Sequence, residues 1–141
     1  MRNTATVFRM ERREAEEFAS KLNYRHRDNT VVAVVQHYQN GAVLMVAFMN
    51  REAVVKTLTT GYVHFWSLSR RRLWMKGETS GNRLRLKQVL VDCDLDTLLL
   101  RVEPEGPVCH TGHETCFYRR LTRDGILYDY EWGEKREPER D

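Results

Sequence analysis

Cysteine occurs three times in 141 residues, at Cys93, Cys109 and Cys116, a spacing of C-x15-C-x6-C. No C-x2-C knuckle is present, so this is not a zinc-finger pattern. Three is nevertheless the number of protein ligands a catalytic zinc takes, with one position left for water. Zinc brings the pKa of that water down to about 7, which makes a hydroxide nucleophile available at neutral pH. The plain alternative is three buried cysteines acting as small hydrophobes. Against it, 109-CHTGHETC-116 is polar, with two histidines, a glycine and a glutamate between its thiols. His110, beside a candidate ligand, has the chemistry to shuttle a proton during hydrolysis, or is an ordinary loop histidine. His113 is the rival: as a fourth ligand it would close a structural Cys3His site and leave the zinc inert.

Asp92, Asp94 and Asp96 alternate through 91-VDCDLD-96, with Cys93 between the first two. On an extended strand alternate residues share a face, so the three carboxylates are expected to converge. Hard oxygens gathered this way suit Mg²⁺, which takes a few carboxylates, waters and substrate phosphates. A solvated strand end is the simpler explanation, although three like charges in register repel without a cation. The same alternation puts Cys93 on the other face, unless the backbone turns there.

A third group is 66-WSLSRRRLWMKGETSGN-82. Arg70, Arg71, Arg72 and Lys76 can meet phosphates, serine and threonine hydroxyls can orient them, and Trp66 or Trp74 can stack on a base. Such a stretch also suits single-stranded nucleic acid, and by composition alone it equally describes a hairpin with a charged turn and core tryptophans.

These groups need a scaffold. Met10, Ala15, Phe18 and Leu22 fall at helical spacing within residues 10–22. The β-branched run 30-TVVAVVQHY-38, the turn signal 39-QNG-41 and 42-AVLMVAFM-49 predict a buried hairpin. Asn50 is placed to cap a helix over residues 51–60, with Gly61 at its end. Strands are predicted at 62–66 and 73–76, and over 83–94, where Leu84/Leu86 change phase to Val89/Val91 and indicate a bulge. Further strands follow at 97–103, 116–121 and 125–130. The fold class is α+β: a single domain, mostly antiparallel β-sheet, with two helices. Its parts are an N-terminal helical segment over 1–29, the main domain over 30–130 and a charged, flexible tail over 131–141.

Hydrophobic residues make up 41% and charged residues 30% of the chain, which suits a globular protein and not a disordered one. A net charge of +3 is too mild to argue for nucleic acid. No apolar h-region opens the chain, and the run 42–49 is far too short to span a bilayer. A cytoplasmic location with reduced thiols is therefore expected, with no membrane partner.

Four blocks carry a resemblance to a known family: 43-VLMVAFMNREA-53, 65-FWSLSRRRLWMKGETSGN-82, 92-DCDLD-96 and 106-GPVCHTGHETCF-117. In order and spacing they resemble phosphoribosyl-AMP cyclohydrolases of histidine biosynthesis. The resemblance implies a zinc- and magnesium-dependent hydrolase. It would open the adenine ring of N1-(5-phosphoribosyl)-AMP between N1 and C6, giving the formimino aminoimidazole carboxamide ribonucleotide. It implies zinc on Cys93, Cys109 and Cys116, magnesium on Asp92, Asp94 and Asp96, and a homodimer whose zinc ligands come from both subunits. With it, His110 is assigned as general acid/base, and Trp66, Ser67, Arg70, Lys76, Glu78 and Ser80 as substrate contacts. At this length the chain is expected to be the monofunctional form. Three positions depart from the family: Leu68 replaces an arginine, Gln36-His37 stands for a Gln-Asp pair, and Phe48 for a tyrosine. The purine deaminase signature H-x-E…P-C-x-x-C is absent. The alternative of another class is a structural-zinc RNA-binding module using His113, which the acidic cluster opposes, because carboxylates repel a nucleic acid backbone.

Overall fold

A computed structural model describes residues 7–132. Within them lie the helices α1 (Arg12–Ser20) and α2 (Arg51–Thr60), and eight strands. The strands are β1 (Val31–His37), β2 (Val43–Met49), β3 (His64–Ser67), β4 (Arg72–Met75), β5 (Leu84–Val91), β6 (Thr97–Pro104), β7 (Arg119–Leu121) and β8 (Leu127–Asp129). The charged tail expected over 131–141 lies outside the described residues from 133 onward.

Four strands form the main sheet in the order β2-β1-β6-β5; β3–β4 and β7–β8 are separate two-stranded ribbons. All pairs are antiparallel except β1–β6, which is parallel. This is a single α+β domain with two helices and mostly antiparallel sheet. Alternation in β1 sends Val31, Ala33 and Val35 inward, where they are fully buried. Leu98, Leu100 and Val102 of β6, and Leu84 and Leu86 of β5, meet them in the core with Ala15 and Ala19 of α1 and Val54 and Leu58 of α2. Each large side chain buried there contributes roughly 1.5–3 kcal/mol relative to exposure. The phase change read in β5 is a register shift between Leu86 and Gln88.

The helix ends follow local rules. The Asn50 side chain accepts the Ala53 amide at 2.9 Å, satisfying one of the orphan donors of α2. Gly61 closes α2 at φ 80°, and a Cβ there would run into Val7, so glycine is required twice over. The His37 departure also has a local account. Its Nδ1 accepts the Gln39 and Asn40 amides at 3.1 and 3.4 Å, so an imidazole caps the β1–β2 turn where a carboxylate is otherwise suited.

His64, on β3, is buried to 9% exposure with Nδ1 2.8 Å from the Tyr62 carbonyl. Burial holds its pKa below the ordinary value, although that carbonyl favours the protonated ring. The unfolded chain therefore binds this proton more readily. Stability is complete above about pH 6.5 and is lost as pH falls toward the lowered folded value. The melting temperature should drop between about pH 7 and about pH 5, and His64→Gln should flatten that slope. An unchanged slope in the variant would place the acid sensitivity elsewhere.

Candidate active site

The acidic segment is not a strand. Residues 92–96 are a tight turn between β5 and β6, with Leu95 in the left-handed region at φ 62°. Asp92 causes the turn: its Oδ1 accepts the Asp96 and Thr97 amides at 3.1 and 3.2 Å, curling the chain back on itself. The expectation of convergence through strand alternation is corrected in its cause and kept in its result. One carboxylate oxygen from each of Asp92, Asp94 and Asp96 lies within 4.8 Å of the others. Asp92 and Asp94 are exposed and Asp96 is buried. Desolvation pushes the Asp92 carboxyl up, but hydrogen bonds from Asp96 and Thr97 outweigh it and hold the group below the usual carboxylate value. Arg25 reaches Asp96 at 3.2 Å and His26 lies at 3.9 Å. Three carboxylate oxygens this close fit a hard divalent ion, although Arg25 already offsets part of the charge on Asp96.

Two of the three cysteines meet. Residues 109–112 form a turn closed by the Gly112 amide on the Cys109 carbonyl, and the Cys116 amide is anchored to Leu44 of β2 at 2.8 Å. The Thr111 hydroxyl donates to the Cys109 sulfur at 3.0 Å. Desolvation alone would raise the Cys109 thiol. The Thr111 hydroxyl and amide, the Cys116 thiol and the charge of Lys76 together bring it below the usual thiol value. Cys116 is pushed up to about 11, by desolvation and by the Cys109 thiolate beside it. The thiolate is the firmer cause, because Cys116 keeps solvent exposure. The two thiols are thus driven apart in acidity, Cys109 below and Cys116 above the ordinary thiol, and a soft sulfur pair of this kind suits a thiophilic cation.

Cys93 stands apart. It follows edge strand β5, whereas Cys116 is tied to edge strand β2 at the other side of the sheet. Three strand spacings of about 4.8 Å separate the two edges. Sulfurs sharing one zinc at about 2.3 Å lie less than ~5 Å apart. Among the described residues the aspartates are the one group of three possible ligands close enough to share an ion.

All six expected substrate contacts line a single cleft of about 660 Å³: Trp66, Ser67, Arg70, Lys76, Glu78 and Ser80. Val46 and Phe48 form its floor. Phe48, Val32 and Thr97 stand in one row across β2, β1 and β6. The acidic turn therefore begins two strand spacings, roughly 10 Å, from the cleft floor. Lys76 joins the cleft to the thiols. Its Nζ donates to the Val108 carbonyl at 2.7 Å, one residue before Cys109. Glu78 accepts from Arg72 at 2.6 Å and from the Met75 amide at 2.9 Å, which braces the hairpin. Leu68 lines the cleft where the resembling family carries arginine. His110 is exposed on the turn beside Cys109. His113 has Nδ1 2.8 Å from the Thr111 hydroxyl and its ring stacked on Tyr118 at 3.6 Å, and among the described residues it joins no group of three ligand atoms close enough to share an ion. Sequence reasoning missed Thr111, whose one signal was its place inside CHTGHETC.

A nucleotide-sized cleft, a pair of neighbouring thiols of unequal acidity and an acidic turn within one domain are the parts of a hydrolytic enzyme. The family model for phosphoribosyl-AMP cyclohydrolase matches residues 45–118. A phosphoribosyl-AMP cyclohydrolase of Sulfurisphaera tokodaii is 56% identical over 109 residues, covering 77% of this chain and 92% of that protein. One of Ignicoccus hospitalis is 50% identical over 121 residues, covering 85% and 94%. One of Pelotomaculum thermopropionicum is 60% identical over 97 residues, covering 69% and 75%. The chain belongs to the phosphoribosyl-AMP cyclohydrolase family. Membership displaces the RNA-binding alternative.

Proposed function

We propose that this enzyme hydrolyses the N1–C6 bond of the adenine ring in N1-(5-phosphoribosyl)-AMP, a step of histidine biosynthesis, with zinc on its cysteines and magnesium on its aspartates. The observation that carries this is the cleft holding all six substrate candidates, joined through Lys76 to the Cys109–Cys116 pair. Bound zinc supplies Lewis acidity that makes water nucleophilic near neutral pH, and magnesium offsets phosphate charge.

The chain's own residues do the rest. Trp66 offers a face for the purine, and the Ser67–Arg70 turn offers hydroxyl, amide and guanidinium donors for phosphate. Substitution at N1 makes the purine electrophilic at C6. After water adds there, the N1–C6 bond breaks as N1 takes up a proton. His110, exposed beside Cys109, is the group to deliver it. Thr111 holds the Cys109 sulfur in place.

Cys93 completes the zinc site from a second copy of the chain. Two features support a homodimer: the distance of Cys93 from its own chain's thiols, and the outward face of the main sheet. That face carries Val32, Val34, Val46, Phe48, Leu90 and Leu99, with Val46 and Leu90 more than 40% exposed. No helix among the described residues is long and apolar enough to cross a membrane.

The test is an assay of the purified protein on phosphoribosyl-AMP before and after chelation, with zinc analysis alongside. Ring opening should disappear with the zinc and return on re-addition. Folded, metal-loaded protein that leaves the ring closed would refute the assignment.

A further inference from the structure

The segment before β1 carries a feature that neither the candidate metal sites nor the candidate substrate contacts explain. His26 and Thr30 close a short turn, each donating its amide to the other's carbonyl, at 3.1 and 3.3 Å. Asp28 and Asn29 at its tip are both left-handed, at φ 61° and 57°. Backbone strain of this kind persists only where the surroundings hold it. Here it aims one carboxylate. Asp28 Oδ2 accepts the Trp66 indole N–H at 3.1 Å and the Arg71 guanidinium at 2.7 Å. Its side chain is only 14% exposed.

Trp66 and Arg71 bracket the four residues Ser67, Leu68, Ser69 and Arg70, which line the cleft. Arg71 is itself left-handed at φ 54° and donates its amide to the Ser67 carbonyl at 2.8 Å, closing the β3–β4 turn. Asp28 thus grips both ends of the turn that rims the cleft. Arg25, just before this turn, holds the acidic cluster through Asp96 at 3.2 Å.

We propose that Asp28 is a positioning residue for substrate: it fixes the plane of the Trp66 indole and the shape of the Ser67–Arg70 turn, and so sets affinity for the nucleotide. This role presupposes that the cleft takes phosphoribosyl-AMP. The indole hydrogen bond, then Arg71, keep the Asp28 carboxyl below the usual value, so it stays charged at neutral pH. A charge-assisted grip outlasts a neutral one during substrate exchange. Arg71 does not line the cleft, so Asp28 acts through Trp66 and the turn without touching substrate.

The experiment compares KM and kcat of the zinc-loaded enzyme with those of Asp28→Ala, Asp28→Asn and Arg70→Ala. Losing a hydrogen-bonded charge at this site should raise KM about tenfold in Asp28→Ala. Turnover should change less than about twofold, since the clamp is remote from the bond that breaks. Asparagine keeps an acceptor for the indole and loses the charge facing Arg71, so its KM should fall between; it also serves should the alanine variant fail to fold. A purely structural loss would shrink the active fraction, lowering apparent kcat with KM unchanged, and that pattern overturns the proposal. A KM raised by Arg70→Ala and by neither Asp28 variant overturns it while leaving the cleft assignment intact. If none of the three raises KM, the cleft itself is misassigned and the role of Asp28 falls with it.

Discussion

Cys93→Ala and Cys116→Ala proteins, each without activity alone, are expected to regain it when unfolded and refolded together with zinc. Either substitution removes one of the three proposed zinc ligands, and a zinc left with two cysteines would be bound far more weakly. Cys93 follows β5, and Cys116 is anchored to Leu44 on β2, at opposite edges of the sheet. A site that uses both must draw on two chains. In a mixed dimer one of the two sites receives both damaged contributions, and the other receives neither. Random pairing makes half of the dimers mixed, so about a quarter of all sites are restored. Recovery near that fraction, with zinc rising in parallel, supports the shared site. A mixture as inactive as its parents would show that Cys93 serves its own chain or no metal at all.

His110→Asn should lower kcat by roughly 10²–10⁴, the usual worth of a general acid/base. The expectation comes from position: His110 occupies the exposed turn directly after the buried Cys109 and before Thr111, which bonds the Cys109 sulfur. Asparagine keeps size and polarity but cannot carry the proton. Zinc content measured by elemental analysis should be unchanged, and KM should hold, because the proposed substrate contacts line the cleft and do not include His110. Zinc lost with the histidine would make its role structural, and a kcat close to wild type would remove it from the reaction.

Much of the fold was legible locally. Asn50 and Gly61 marked the ends of α2 because a cap and a left-handed terminus depend on neighbours three or four residues away. The bulge in β5 was visible as a phase change because alternation is a property of one strand. The substrate candidates gathered in one cleft because most belong to a single hairpin, β3–β4, and the loop after it. The parallel β1–β6 pairing was not legible, since alternation says which face is buried and not which strand lies alongside. The form of 92–96 was misjudged for a related reason. Period-two spacing suits a strand, yet an aspartate able to accept two amides can curl the same residues into a turn.

Asp28 marks the remaining limit of local reading. Its two partners lie 38 and 43 residues away, and nothing near it announces them. The residue types alone named the candidate groups: three thiols, three alternating carboxylates, a histidine beside a thiol, and a basic–aromatic hairpin. Tertiary structure decided how they are shared out. Burying one face of the sheet orders the strands β2-β1-β6-β5, and that order carries Cys93 away from Cys109 and Cys116. Ligand identity is a property of each side chain, whereas ligand distance depends on which strands become neighbours.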